Sequence, residues 1–277
     1  MYSINELEKE AIEIRKRTLE VIYNAGGGHT GGSMSQVDIL TALYFSVMNT
    51  DPENPDDFKR DRFILSKGHS VEGYYAVLER RGFIDRALLD SYGKYRSKLT
   101  GHPTRKIKGI ELNSGALGHG LSVGVGMAIA SKRQKLGFKT YVLMGDGEHG
   151  EGSIMEAAAA AGHYKLDNLI AIVDRNKLQI SGLTEEVLSI EDLQKKYEAN
   201  GWAVISVDGH NIKALIEAYK SCPVKENKPT FIIANTIKGK GASFMENKAV
   251  WHHKVPTKSE LKQAIEELNT KKEVLNV

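Results

Sequence analysis

A single cysteine, Cys222, occurs in 277 residues, so no disulfide can form within the chain. That excludes a disulfide-stapled scaffold and suits a reducing compartment. Cys222 itself sits in a loop-like Ser-Cys-Pro beside Pro223, where no functional thiol is expected. Long apolar runs are missing as well. None approaches the ~20 residues of a membrane span, and the charged opening MYSINELEKEAIEIRKR lacks the apolar centre of a signal peptide. Neither sign of charge dominates: Lys+Arg 38 against Asp+Glu 35 leaves +3, which gives no reason to invoke nucleic acid or a membrane surface. Internal repeats, low-complexity tracts and credible linkers are absent too. The expectation is a soluble, cytoplasmic protein with one domain over residues 1–277, whose 41% hydrophobic content supplies ample core.

What is present is an α/β pattern. Residues 5–24 carry apolar side chains at Leu7, Ile12, Ile14, Leu19 and Ile22 among charges, the spacing of an amphipathic helix. The glycine-dense AGGGHTGGS follows as a loop around His29, and then a helix over Gln36–Met48. NTDPENPDD breaks helix and strand alike. RFILS (62–66) reads as a buried strand leading through SKGH into a helix over Val71–Arg80. Residues 100–120 lack periodicity, and a loop that long in a compact domain is usually functional or disordered. After the small-residue helix LSVGVGMAIASKRQ the alternation is regular. Strands are expected at 140–144, 169–174, 202–207 and 230–235, separated by helices over Ser153–Tyr164, Ile190–Ala199 and Ile212–Tyr219. Val/Ile-rich strands alternating with helices predict a mostly parallel central sheet with helices on both faces. Thr257-Lys258-Ser259-Glu260 has the form of a capping box for a last helix.

In open parallel sheets, ligands bind beyond the carboxyl ends of the strands. The strand TYVLM ends in Gly145-Asp146-Gly147-Glu148-His149-Gly150. Read literally this is G-x-G-x-x-G, and Asp174 at the next strand end stands near where a ribose-binding acid belongs, so a dinucleotide site is one reading. Against it, Asp146 would repel a pyrophosphate unless a cation intervened. The next strand end offers the rest of a cation site. Asn176 lies 30 residues after Asp146, one strand–helix–strand unit away, so the two tips are neighbours. The Asp146 carboxylate, the Asn176 amide oxygen and a carbonyl near Leu178 form a hard-oxygen set that suits magnesium together with diphosphate oxygens. Taken alone, Asn176 is an ordinary turn residue and Asp146 an ordinary helix cap. Their joint placement is the signal.

GDGEHGEG through DRN resembles the thiamine-diphosphate motif, GDG followed about thirty residues later by an asparagine. Four further strings narrow the resemblance to the transketolase family. MNTDPENPDDFKRDRFILSKGHS, GGGHTGGSMSQVDILTALYF, GHPTRKIKGIELNSGALGHGLSVGVGMA and WHHKVP are each similar to a transketolase segment, in order and over nearly the whole chain. The resemblance implies a thiamine-diphosphate-binding domain and two-carbon ketol transfer from a ketose phosphate to an aldose phosphate. It implies magnesium held by Asp146, Asn176 and the Leu178 carbonyl. His69, Gly147 and His252 would meet the diphosphate, and Gly115 and Leu117 the thiazolium and aminopyrimidine path. His29, His102 and His252 would face the sugar as catalytic groups, since imidazole moves protons near neutrality. Lys238 would stand at the cofactor mouth, and Glu151 and Glu156 in an acidic network near a subunit interface. His149, His163 and His210 are expected to be surface or capping histidines.

The chain departs from the family pattern at Thr30, where proline is usual, and at Glu72, His119 and His253. The last three leave the donor sugar open, including a specialised ketose with another anionic group. Transketolases also carry two further domains, one of which supplies a glutamate to the aminopyrimidine. None is expected in this chain, so the resemblance implies a C-terminal partner subunit bearing that pyrimidine-binding domain, in an α2β2 assembly. A 2-oxo acid dehydrogenase of the E1 α type and a deoxyxylulose-phosphate synthase share the cofactor motif and remain alternatives, though the E1 α reading does not predict the GHP, SKGH and WHHK strings. An NAD-dependent dehydrogenase using GDGEHG, and a non-catalytic interaction protein, are the alternatives from other classes.

Overall fold

The computed structural model describes residues 2–276. Five strands form one parallel sheet in the order β1-β2-β3-β5-β4. The chain opens with α1 (Ile4–Ala25), α2 (Thr30–Ser35) and α3 (Val37–Ser46), then β1 (Arg62–Leu65), α4 (Val71–Arg80), α5 (Arg86–Asp90) and α6 (His119–Gln134). Alternation follows: β2 (Thr140–Gly145), α7 (Gly152–His163), β3 (Leu169–Arg175), α8 (Thr184–Val187), α9 (Leu193–Ala199), β4 (Ala203–Asp208), α10 (Ile212–Lys220) and β5 (Thr230–Asn235). The closing helix is α11 (Lys258–Val274). No helix among the described residues is long and apolar enough to cross a membrane.

All strands but the edge strand β4 are buried on both sides because successive residues feed two separate cores. Phe63, Leu65, Tyr141, Leu143, Ile170, Ile172 and Ile232 point to one face, which α1, α3, α4 and α10 cover. Ile64, Val142, Met144, Ala171, Val173 and Phe231 point to the other, which α6, α7 and α9 cover. That is why these strands read as unbroken apolar runs. A third cluster, Ile12, Leu19, Met34, Met245, Trp251 and Leu268, docks α11 and the segment before it against α1 and α2. The predicted box at α11 is present: Glu260 N–H donates to Thr257 Oγ1 at 3.2 Å and Thr257 N–H to Glu260 Oε2 at 2.8 Å.

Several expected boundaries move. The segment around His29 is not all loop, because Thr30–Ser35 is helical and every residue of it is buried. Buried backbone must hydrogen-bond internally, and glycine allows the close approach: a Cβ on Gly31 would lie 2.9 Å from the Trp251 carbonyl oxygen. The predicted 36–48 helix therefore begins one residue late, after Gln36, and ends at Ser46. The helix expected from Ile190 begins at Leu193, since the Asp192 side chain caps it by accepting from Lys195 N–H at 3.2 Å. The short α5 and α8 gave no periodic signal.

Candidate active site

The site grows from the tips of β1, β2 and β3. The register pairs Gly145 with Asp174, so Asp146 and Arg175–Asn176 leave neighbouring strands together. Asp146 is 2% exposed. Its Oδ1 accepts from Gly147 N–H at 2.7 Å, and its Oδ2 from Lys177 N–H at 2.5 Å and Arg175 Nη1 at 3.1 Å. Three of roughly four lone-pair positions are thereby used. Burial, with Asp174 nearby, pushes its carboxyl above the ordinary range. Asn176 is buried with its Oδ1 accepting from Leu178 N–H at 3.2 Å. The Leu178 carbonyl accepts from the Lys238 ammonium at 2.8 Å.

These residues wall a cleft of roughly 200 Å³ together with Lys67, His69, Leu117, Gly147 and His252. Burial, then Lys67, pulls the Lys238 ammonium down to about 8. Its Nζ lies 3.0 Å from His252 Nδ1, which makes that nitrogen the acceptor and puts the ring proton on Nε2. His29, His69 and His252 form one cluster, with ring centroids 5.1 Å apart for His29–His69, 5.6 Å for His29–His252 and 5.3 Å for the stacked His69–His252. All three are held neutral. Burial, then neighbouring positive groups, drives His29 to about 4, His69 to about 2 and His252 to about 3. His102 flanks the cluster across Gly115, whose Cβ, if present, would lie 3.4 Å from the His102 ring.

Glu151 and Glu156 do not line this cleft. They are exposed, just before and within α7. Gly115 is exposed beside His102, and His253 is exposed 6.4 Å from the His29 ring. His119 is exposed and bonded through Nδ1 to the Leu117 carbonyl at 2.9 Å. Of the histidines expected to be surface or capping, His149 is buried and His210 is half-buried. His149 is buried between the Gly145 carbonyl at 2.9 Å and Tyr197 Oη at 3.1 Å. His210 accepts Ile237 N–H at Nε2 (2.8 Å) and so donates from Nδ1 to Asp38 at 2.7 Å. Asp38 also receives both Arg15 Nη atoms, at 2.9 and 2.5 Å. Sequence spacing carries no trace of this relay, because its members lie on α1, α3 and two loops. His163 does lie at the surface, in the last turn of α7.

Lys67, Asp174 and Glu148 shape the cleft without having stood out in the sequence as its parts. Lys67, 2% exposed, donates to Gly32 O at 3.0 Å and pairs with Asp174 Oδ2. Asp174, fully buried, also accepts from Ser35 Oγ at 2.6 Å and from Thr236 Oγ1. Burial works to raise its carboxyl, but Lys67 with the Ser35 and Thr236 hydroxyls together outweigh that and it stays lowered. Glu148 accepts from Ser66 Oγ, from Gly118 N–H at 2.8 Å and from Gly145 N–H at 3.0 Å, tying three loops together. The usable signal was the lysine of SKGH at a strand end. The departures also find structural uses. Thr30 donates from its hydroxyl to Lys254 O at 2.7 Å. Glu72, wholly buried, accepts from His29 N–H at 3.2 Å and from the Ser33 and Tyr92 hydroxyls at 2.7 Å each.

This geometry opposes a dinucleotide in the GDGEHG loop. Gly147 N–H is taken by Asp146, His149 N–H by the Asp146 carbonyl and Glu151 N–H by the Glu148 carbonyl. Asp174 is sealed in its pair with Lys67 and cannot reach a ribose. No three His, Cys, Asp or Glu side chains among the described residues are grouped to hold a metal. Any cation held by Asp146 must therefore also draw on amide, carbonyl and ligand oxygens.

Residues 7–275 match the family model described as transketolase, thiamine diphosphate binding domain. Among curated proteins the chain is 51% identical to an apulose-4-phosphate transketolase subunit of Phocaeicola vulgatus, across 98% of this chain and 97% of that one. It is 44% identical to a 6-deoxy-6-sulfo-D-fructose transketolase subunit, SqwG, of a Clostridium strain, across 95% and 96%. Among solved structures it superposes on the transketolase of Campylobacter jejuni with a TM-score of 0.86 at 29% identity, covering 100% of this chain but 48% of that one. The chain thus spans about half the length of that solved enzyme. On this match the chain belongs to the transketolase family, as its thiamine diphosphate-binding domain.

Proposed function

We propose that this chain is the diphosphate-holding subunit of a two-chain transketolase, which moves a two-carbon ketol unit from an anionic ketose to an aldose phosphate. The carrying observation is the convergence of Asp146, Asn176 and the Leu178 carbonyl on one cleft beside three neutral imidazoles. The cleft fits magnesium and diphosphate. The Leu178 carbonyl already accepts from a cationic group, Asp146 keeps a lone pair free, and Lys67 and Lys238 line the wall. Asp146, Asn176 and Leu178 would hold the ion. His69, His252, Gly147 and Lys238 would meet the diphosphate, and Leu117 and Gly115 the path toward the rings. Thiamine diphosphate, when bound, supplies the carbon nucleophile that receives the ketol unit. His29 and His102 stand to bind sugar hydroxyls, and the neutral His29 imidazole can accept a hydroxyl proton. Glu151 and Glu156, exposed at α7, suit an interface with another polypeptide.

The partner would be a C-terminal transketolase subunit carrying the pyrimidine-binding domain and its glutamate, in an α2β2 assembly, with residues 1–277 as one domain. The relatives support this by being named as subunits, and by their substrates, both ketoses with a terminal anion. A reducing, cytoplasmic setting fits the one buried, unpaired cysteine.

The test is reconstitution with the polypeptide that co-purifies. Ketol transfer from a panel of ketose phosphates and sulfonates should need both chains, thiamine diphosphate and magnesium. Turnover by this chain alone, or tight NAD binding without magnesium in calorimetry, overturns the reading.

A further inference from the structure

Arg175, the last residue of β3 and 4% exposed, gathers carboxylates from three places. Its Nη1 lies 3.1 Å from Asp146 Oδ2, at the tip of β2. Its Nη2 lies 2.7 Å from Glu185 Oε1 in α8 and 2.8 Å from Glu191 Oε1 at the entry to α9. Its Nε reaches Glu191 as well, at 3.2 Å. The chain between the two ends of this fork, residues 176–190, carries Asn176 and Leu178 and also Gln179 and Ile180 of the cleft wall.

Apart from the buried Thr184 and Ile190 and the Leu178 carbonyl on Lys238, few groups fasten that segment. Ile180, Leu183, Val187 and Leu188 are 44–58% exposed. Its hairpin-like turn rests on Gln179 N–H to Gly182 O at 2.8 Å and Thr184 N–H to Lys177 O at 3.0 Å. Lys177 stands at φ 66°, a conformation that costs a non-glycine residue energy and persists only when the surroundings impose it. The fork imposes it: it ties both ends of the segment to the carboxylate whose Oδ2 accepts the Lys177 N–H at 2.5 Å.

We propose that Arg175 is a positioning residue that presets the cation edge of the cofactor cleft, clamping residues 176–191 onto Asp146 before metal and cofactor arrive. The inference rests on the reading of Asp146, Asn176 and Leu178 as cation ligands and adds how they are held together. A guanidinium suits the task because its planar donors serve three carboxylates at once, whereas an ammonium is a point charge.

The experiment compares Arg175→Gln, Arg175→Lys and Glu191→Gln. The last removes a charge that is 48% exposed from the loop side only, so the fold is spared if Arg175→Gln does not fold. Amide exchange over residues 177–190 of the chain without cofactor should quicken about tenfold or more in Arg175→Gln and Glu191→Gln, with Arg175→Lys in between. In the reconstituted assembly, KM for thiamine diphosphate at limiting magnesium should rise about tenfold, more than kcat falls, and in the same order. Unchanged exchange over that segment in both Arg175→Gln and Glu191→Gln overturns the clamp. Asp146→Asn separates the two ideas. If it leaves magnesium-dependent cofactor binding intact, the ligand reading fails, while the exchange result still decides the clamp.

Discussion

Acidifying the cofactor-free chain from pH 6.5 to 5.5 should cost up to about 3 kcal/mol of folding stability through its buried histidines. His29, His69, His149 and His252 are all held neutral, at about 4, 2, 4 and 3. An unfolded histidine takes up its proton near pH 6.5. Above that pH the stabilising difference is fully present, and it is lost as pH falls toward the folded values, because the unfolded chain binds protons that the folded chain refuses. One site that excludes its proton completely loses about 1 kcal/mol over this unit of pH. His69 and His149 are the most enclosed and count in full. His29 and His252 are partly open to solvent, which screens them, and count for about half. Glu72, Asp146 and Glu148, whose burial raises their carboxyls, act in the opposite sense from their ordinary values near 4 upward, so they offset part of the histidine loss. The assay is the urea midpoint at the two pH values, expected to fall by up to about 1 M at a slope near 3 kcal/mol/M. His69→Gln should remove about a third of the change, and thiamine diphosphate with magnesium should shrink it. A His69→Gln midpoint that moves with pH as much as the parent's refutes the claim that these imidazoles are neutral because of where they sit.

Three substitutions test the scaffold around the cleft. Lys67→Met leaves Asp174 buried without its cation and should cost about 3–5 kcal/mol in urea denaturation, against near-neutrality if the pair is inert. His210→Ala removes the acceptor for Ile237 N–H and the donor to Asp38, with an expected loss of about 1–3 kcal/mol and faster exchange in residues 236–241. Gly118→Ala adds a methyl where φ is 82° and the new atom would lie 2.6 Å from Ser153 Oγ and 2.7 Å from Glu151 Cβ. About 1–3 kcal/mol of strain should appear as a lower midpoint and weaker cofactor binding, and an unchanged midpoint would show that the loop yields freely.

The sheet was legible because its inner strands each feed a core on both sides, so burial wrote unbroken apolar runs at 140–144, 169–174 and 230–235. The cation ligands were legible for a related reason. Neighbouring parallel strands put their tips together, so a thirty-residue spacing between Asp146 and Asn176 is a statement about space. Groups joined across distant elements were not legible. Asp38 and His210 meet across 172 residues and Lys67 and Asp174 across 107, and no periodicity links such positions. His149 was misjudged because a histidine in a glycine loop reads as solvated, whereas this one turns under β2 toward Tyr197. The α2 helix was missed because its glycines are chosen for closeness to Trp251 and Ser70 rather than for helix propensity.

The charge of the cleft argues for its occupant. Lys67 is already matched by Asp174, and Asp146 by Arg175. Lys238 has no carboxylate within salt-bridge distance among the described residues; it spends its donors on the Leu178 carbonyl and His252. A buried ammonium facing only neutral acceptors is costly, and the fall of Lys238 to about 8 expresses that cost. An anion arriving beside Lys238 and the stacked His69–His252 pair removes the deficit. A lone polyanion would in turn crowd Asp146, and a divalent ion between them relieves that. The cleft is therefore balanced only when a polyanion and a divalent cation enter together, and neither species alone should bind it tightly. Thermal shift with magnesium alone, inorganic pyrophosphate alone and both together should show a combined effect well beyond the two single effects added, and strict additivity would count against a shared site.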